Sequence, residues 1–293
     1  MKSGNLAGWV FAAPALLVIA LFFGVPVLAA LALSFTDFDI YALADTANLR
    51  FVALDNYLGL LRNPLFWKAL GNTLYFVVAG VPLSIAASLG AALLLHSRLA
   101  RFKPFFRTAF FAPVVTTVVA VAVIWRYLFH TRYGLANWGL SSIGIGPVDW
   151  LGDPHWAMPT IIAFAVWKNF GYNMVIFLAA LQAIPEDLYE AARIDGASAR
   201  RQFWHVTLPM LGPVLLLVGI LTMSGFFQLF AEPYVMTQGG PLQSTVSVLY
   251  LMYEEGFKWW NLGNASAVAF VLFAIMAGLT SLLMWQARRR GAE

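Results

Sequence analysis

Six stretches of this chain, at about 8–35, 70–95, 106–129, 156–183, 206–231 and 261–287, are long and apolar enough to cross a lipid bilayer as helices. A hydrocarbon core about 30 Å thick needs roughly 20 helical residues. An unpaired backbone group inside it costs several kcal/mol, so a helix, which pairs its own groups, is the state these runs must take. A β-barrel would need short alternating segments, and these are apolar throughout. The third run is the least clean, charge-free only from Thr108 to Trp125, with Tyr127 and Phe129 extending it past Arg126. The fourth is interrupted once, by Lys168. Composition agrees: 61% of residues are hydrophobic and 11% charged, against about 25% charged in a soluble domain. The expected fold is all-α, one polytopic membrane unit over residues 1–293 with about six spans.

The first run begins after Lys2 and ends near Ala29, Ala30 and Ala32, the outline of a signal peptide. Its apolar stretch of about 28 residues is far longer than the 7–15 of a signal core. It is expected to persist as a first helix, bent at Pro14 and Pro26.

Basic residues set the orientation. One set of segments holds eleven: Lys2; Arg98, Arg101, Lys103 and Arg107; Arg193, Arg200 and Arg201; Arg288, Arg289 and Arg290. The other holds six, namely Arg50, Arg62, Lys68, Arg126, Arg132 and Lys258, spread over longer loops. Both termini are therefore expected on the cytoplasmic side, with loops 36–68, 130–155 and 232–260 outside. The basic tail serves this orientation, and no nucleic-acid partner is expected. The absence of cysteine excludes disulfides, thiolate metal sites and thiol catalysis.

Between the fourth and fifth spans lies a segment, about 184–207, with its own local grammar. Pro185 suits a first helical position, and Glu186 and Asp187 complement the positive end of the helix dipole. Asp195-Gly196 supplies a stop, since glycine can take the left-handed conformation after the last turn. Ser198 can then cap a second helix that runs through Phe203 into the fifth span. Ala191 and Ala192 beside Leu188 allow close approach to another surface, and Glu190, Arg193 and Asp195 offer charge partners. Spacing alone leaves two readings open, a docking helix or an amphipathic loop lying on its own protein.

The run Glu190-Ala191-Ala192, then Asp195-Gly196-Ala197, Phe203 and Leu208-Pro209, resembles the EAA loop of binding-protein-dependent ABC importer permeases. Residues 51–72, Ile184-Pro185-Glu186 and Thr237-Gln238-Gly239-Gly240-Pro241 resemble elements of the maltose, lactose and glycerol-3-phosphate permeases of that family. The resemblance implies a type I importer permease fold, multi-pass in the bacterial cytoplasmic (inner) membrane. It implies as partners a second homologous permease, two ATP-binding subunits and an extracytoplasmic solute-binding protein, besides membrane lipid. It also implies that Glu190, Ala191, Ala192, Asp195, Gly196 and Ala197 contact the ATP-binding subunit, with Phe203, Leu208 and Pro209 bracing them. Gly239, Gly240 and Pro241 would contact the binding protein; a plain tie between helix and loop is the other reading.

The chain lacks an energy source of its own. None of its five lysines follows a glycine, so no phosphate-cradling Walker A loop exists. No cofactor is expected in this chain, ATP and magnesium falling to the partner subunits. No Asp or Glu falls within the six runs, which weakens an ion-coupled secondary carrier, the alternative function. His96, His130, His155 and His205 show no metal-ligand spacing, so neither metal nor catalytic residues are expected.

Two polar clusters lie at membrane depth: Lys168, Asn169, Tyr172 and Asn173 in the fourth run, and Thr222, Phe226 and Gln228 in the fifth. Amides and hydroxyls can bond sugar hydroxyls, and aromatic rings can stack on a sugar's apolar face. The same residues also serve as glue between membrane helices. Lys168 has three readings: lining the path, attracting an anionic substrate, or reaching to the outer surface.

Overall fold

The computed structural model describes residues 3–97 and 101–290; Lys2 and Arg98, two of the orientation charges, lie outside them. In chain order the principal helices are α1 (Gly8–Leu33), α2 (Pro64–His96), α3 (Lys103–Val115), α4 (Val118–Leu128) and α5 (Pro154–Gln182). Then follow α6 (Glu186–Ile194), α7 (Ala199–Met210), α8 (Gly212–Phe227), α9 (Ala231–Met236) and α10 (Leu262–Arg290). Apart from one bridge between Thr36 and Phe51, the described residues form no β pairing.

Four helices, α1, α2, α5 and α10, are long and apolar enough to span alone, and two bent pairs bring the count to six. The bends are where the structure departs from the sequence reading. The third run is two helices, α3 and α4, meeting at 101°. Between them Thr116 and Thr117 are extended, with ψ of 154° and 132°. The run Val114-Val115-Thr116-Thr117-Val118-Val119 is β-branched throughout, the side-chain type least suited to a helix interior. Thr116 Oγ1 donates to the Pro113 carbonyl at 2.6 Å, replacing a lost helical partner. The fifth run is α7 and α8, bent by 67° around Leu211. Pro213 has no N–H to offer the carbonyl four residues back, and Gly212 before it adds freedom. Before the bend α7 also widens to a π turn over Phe203–Thr207.

The chain divides into two compact units. The first comprises Met1–Trp67 and Leu251–Ile275. Within it α1 buries none of its apolar span, as expected of a surface meant for lipid. Its end is tied by side chains: Asn56 Nδ2 donates to the carbonyls of Ser34 and Thr36 at 2.9 and 2.8 Å, and Tyr57 shares a hydrogen bond with Ser34 at 2.7 Å. Asp37 accepts from the Arg50 backbone N–H at 2.7 Å and from its Nε at 2.8 Å.

The second unit, Lys68–Tyr250 and Met276–Glu293, carries the residues of interest. Its core joins Leu89, Ala92 and Leu95 of α2, Met174, Phe177 and Leu181 of α5, and Leu211 and Val218 at the α7–α8 bend. Gly171 lets α3 and α5 touch backbone to backbone: a Cβ there would lie 2.1 Å from the Phe110 carbonyl oxygen. Higher on α5, Phe164 and Trp167 hold Trp125 of α4, with ring centroids 5.2 and 5.3 Å apart.

Candidate functional site

The segment after α5 folds as its capping residues direct. Pro185 is the residue before α6 rather than its first member, with ψ of 132°, and the helix starts at Glu186. It ends in a Schellman turn. Gly196, at φ +74°, donates its N–H to the Arg193 carbonyl at 3.0 Å, and Ala197 donates to that of Ala192 at 2.8 Å. Ser198 then caps α7, its hydroxyl accepting from Arg201 N–H at 3.4 Å.

No residue of α6 is buried. Ile194 is 86% exposed and Leu188 41%, so its apolar side chains are uncovered within this chain. Glu190, Ala191, Asp195 and Gly196 are exposed, while Ala192 and Ala197 are half-buried. What holds α6 in place lies at its flanks. Tyr189 shares a hydrogen bond with Thr207 at 3.0 Å, and Gln202 Nε2 donates to the Ala197 carbonyl at 2.9 Å. Ile184, Phe203 and Leu208 pack on the α2–α5–α8 core. Pro209 is exposed.

Further along the same helices a cavity of about 260 Å³ opens between α2, α3, α4, α5, α8 and α9. That is just below the usual range of about 300–1,000 Å³ for small-molecule sites. Six of the seven residues singled out in the spans line it: Asn169, Tyr172, Asn173, Thr222, Phe226 and Gln228. The i, i+3, i+4 spacing on α5 puts its three on one face. Asn173, 3% exposed, donates its amide to Thr222 Oγ1 at 2.9 Å and to Ser84 Oγ at 3.4 Å, linking α5, α8 and α2. With the nitrogen so used, its carbonyl oxygen is the group left for a ligand. Asn169 donates to the Ala165 carbonyl at 2.9 Å, and Tyr172 is half exposed. The Phe226 ring lies tilted against that of Phe76, centroids 4.9 Å apart, an aromatic wall whose α2 member has no polar mark in the sequence.

Lys168 does not line this cavity. It is 5% exposed, and its ammonium donates to the Val114 carbonyl at 3.2 Å. Val114 sits in the last turn of α3, where carbonyls lack helical partners and a cation is favoured. The contact made in this structure closes the broken end of the third span. Glu232 was missed in turn. It stands one residue beyond the expected fifth span, in the first turn of α9, and it lines the cavity. It also interacts electrostatically with Lys168. The absence of carboxylates from the spans thus holds by sequence boundary but not for the cavity wall. A Glu four residues after an amide that faces inward was the available signal.

The loop after α9 is a tied structure. Thr237 and Thr245 share a hydrogen bond at 2.7 Å, and Thr245 donates to the Gly240 carbonyl at 2.8 Å. From α2, Lys68 donates to the Leu242 carbonyl at 2.6 Å, and Asn72 donates to those of Gln243 and Val246 at 2.9 Å each. Gly239 is buried, with Val246 2.8 Å from where a Cβ would stand, so it offers no surface to a partner. Gly240 and Pro241 are half-buried, and the exposed tip is Leu242 and Gln243. Among the described residues no group of acidic, histidine or cysteine side chains is disposed to hold a metal.

A family model described as a binding-protein-dependent transport system inner membrane component matches residues 84–290. The lactose transport system permease protein of Rhizobium radiobacter is 38% identical over 291 residues, which cover 98% of this chain and 95% of that protein. The trehalose/maltose transport system permease protein of Thermococcus litoralis is 37% identical over 243 residues, covering 82% and 81%. In fold the chain is similar to the structure of a bacterial alginate ABC transporter in complex with a periplasmic protein bound to an alginate pentasaccharide. The TM-score is 0.82 at 19% identity, covering 97% of this chain and 95% of that one.

Proposed function

The chain belongs to the family of binding-protein-dependent transport system inner membrane components, and from that premise we propose that it forms part of the translocation path of an ATP-driven importer for a sugar or related polyol. The observation that carries the substrate class is the cavity wall. Amide and hydroxyl groups from Asn169, Tyr172, Asn173, Thr222 and Gln228 stand beside the Phe76–Phe226 ring pair. That pairing suits a solute with hydroxyls at its rim and an apolar ring face. Glu232 adds a carboxyl group to the same wall. Relatives named for lactose and for trehalose and maltose support the same class.

In this reading α6 docks on a separate ATP-binding subunit, with Glu190, Ala191, Asp195 and Gly196 at the contact and Phe203 and Leu208 as its footing. A second permease completes the path, two ATP-binding subunits drive it, and a solute-binding protein delivers to the Leu242–Gln243 tip rather than to Gly239. Both termini and α6 lie on the cytoplasmic side. Closure of the ATP-binding subunits moves the 184–207 segment and rocks the helices packed on it, switching access from outside to inside. The chain binds no nucleotide itself.

Reconstitution tests this. The chain is placed in proteoliposomes with its partner permease, ATP-binding subunits and binding protein, and uptake of labelled lactose, maltose and trehalose is followed with and without internal ATP. Uptake should require ATP and every subunit. Glu232 gives the ion-coupled alternative its one foothold, because a carboxylate in the path is what proton coupling needs. Uptake by this chain alone under a proton gradient would overturn the proposal.

A further inference from the structure

A second cavity, of about 410 Å³, lies at the far end of α5 from Asn169, where α2 ends and α3 begins. Lys103, Arg107 and His96 line it with Thr108 and Gln182, and no carboxylate is among the lining residues. Lys103 and Arg107 are one helical turn apart on α3, so both cations reach the same side. Lys103 Nζ also contacts the His96 carbonyl at 3.5 Å, which keeps its ammonium over the opening. The remaining wall is apolar: Leu95, Pro104 and Leu178.

The same end of α3 carries exposed rings on its other faces. Phe102, Phe105 and Phe106 are 77%, 68% and 41% exposed, three large rings on a surface that water would not favour. Phe102 holds a left-handed backbone, at φ +55°, that starts α3 directly at Lys103. Aromatic rings set beside cations are the mark of headgroup depth in a bilayer. On the orientation proposed above, this end faces the cytoplasmic leaflet, whose lipids include anionic ones.

We infer that this cavity is a binding site for the phosphate of an anionic phospholipid, gripped by Lys103 and Arg107 with Thr108 and Gln182 donating, its chains leaving along Leu95, Pro104 and Leu178. A free phosphate would meet the same cations, but it would have no use for the apolar wall. The site stands at the foot of α2, α3 and α5, so an occupied headgroup would brace three helices that also shape the solute cavity.

Native mass spectrometry of the full chain in mild detergent tests this independently of transport. Dioleoyl phosphatidylglycerol, dioleoyl phosphatidylcholine and inorganic phosphate serve as probes. One phosphatidylglycerol should be retained in preference to phosphatidylcholine. The K103Q/R107Q variant should bind it about thirtyfold more weakly, the effect of two basic side chains at an anionic headgroup. R200Q/R201Q, which removes two exposed charges elsewhere, should bind as the parent does. The charge-conserving K103R/R107K chain should keep the lipid and covers the case in which the glutamine pair fails to fold; loss of lipid from a correctly eluting K103R/R107K chain would refute the site. Equal retention by the parent and K103Q/R107Q, or equal binding of the two lipids, would also refute it. Displacement of the lipid by inorganic phosphate alone would assign the cations to a soluble anion and overturn the lipid.

Discussion

Gly196→Pro separates the presentation of α6 from the folding of the membrane helices. At φ +74° Gly196 occupies a backbone region that the proline ring, fixed near −65°, cannot enter. The substitution also deletes the N–H bonded to the Arg193 carbonyl at 3.0 Å, and the forced change of direction removes the Ala197–Ala192 bond at 2.8 Å. Two hydrogen bonds at about 0.5–1.5 kcal/mol each, plus the lost left-handed turn, come to about 3 kcal/mol. That is roughly a 150-fold shift in the equilibrium constant against the native turn. None of it reaches the core: α6 buries nothing, and Ile184, Phe203 and Leu208 keep their packing. The expected outcome is normal membrane expression and thermal stability with transport reduced to under about a tenth in the reconstituted complex. ATP hydrolysis should no longer respond to loaded binding protein. Gly196→Ala is the internal control. Nothing lies within 4 Å of its new Cβ, so only the backbone preference is lost, about 1 kcal/mol, and transport should fall severalfold rather than vanish. Full coupled transport by Gly196→Pro would show that the turn is not how α6 meets its partner, and the reasoning would fail.

Lys168→Met should lower thermal stability in detergent by about 1–3 kcal/mol, the cost of a part-buried carbonyl left without its donor; unchanged stability would show that the Val114 contact does not hold the broken span together. Tyr172→Ala and Thr222→Ala should each weaken solute binding by up to about tenfold, measured by titration of the purified complex, and unchanged affinity in both would remove the cavity from consideration. The Arg50 backbone N–H, partly offset by desolvation, holds the Asp37 carboxyl below its ordinary 3.8, with the Arg50 side chain adding to it. A depressed value stabilises the folded loop above pH 3.8 and is lost as pH falls through the lower folded value. Hydrogen-exchange protection over residues 36–51, corrected for the intrinsic rate at each pH, should therefore fall only in acid, and Asp37→Asn should flatten that dependence.

Much of this was written in local chemistry. The α6 stop needed only Asp195, Gly196 and Ser198, because a Schellman turn and a hydroxyl cap depend on neighbours in sequence. The α5 cavity face followed from the helical spacing of Asn169, Tyr172 and Asn173. The failures involve packing that the local pattern does not carry. Lys168 reads as an orphan cation until the break at Thr116 and Thr117 supplies a carbonyl 54 residues away. That break was itself visible as a β-branched run, but an apolar average over 106–129 hides it. Glu232 fell outside a span because the boundary was drawn by hydropathy, whereas α8 ends at Phe227 and the chain turns α9 back across the cavity. Gly239 reads as a contact for the binding protein or a tie between helix and loop, and in the fold Val246 and Tyr250 pack over it.

The shared core beneath α6 has a mechanical consequence. From Leu181, packed beside Phe203 and Leu208, to Asn169 at the cavity, α5 is an unbroken strut about 18 Å long. Interiors at this density yield little to compression, so a push at the Leu181 end is carried along the strut instead of being absorbed. A tilt of about 10° would sweep the Asn169 end through about 3 Å. At Asn173, about 12 Å from the foot, the same tilt gives about 2 Å, enough to break its 2.9 Å bond to Thr222 across the cavity.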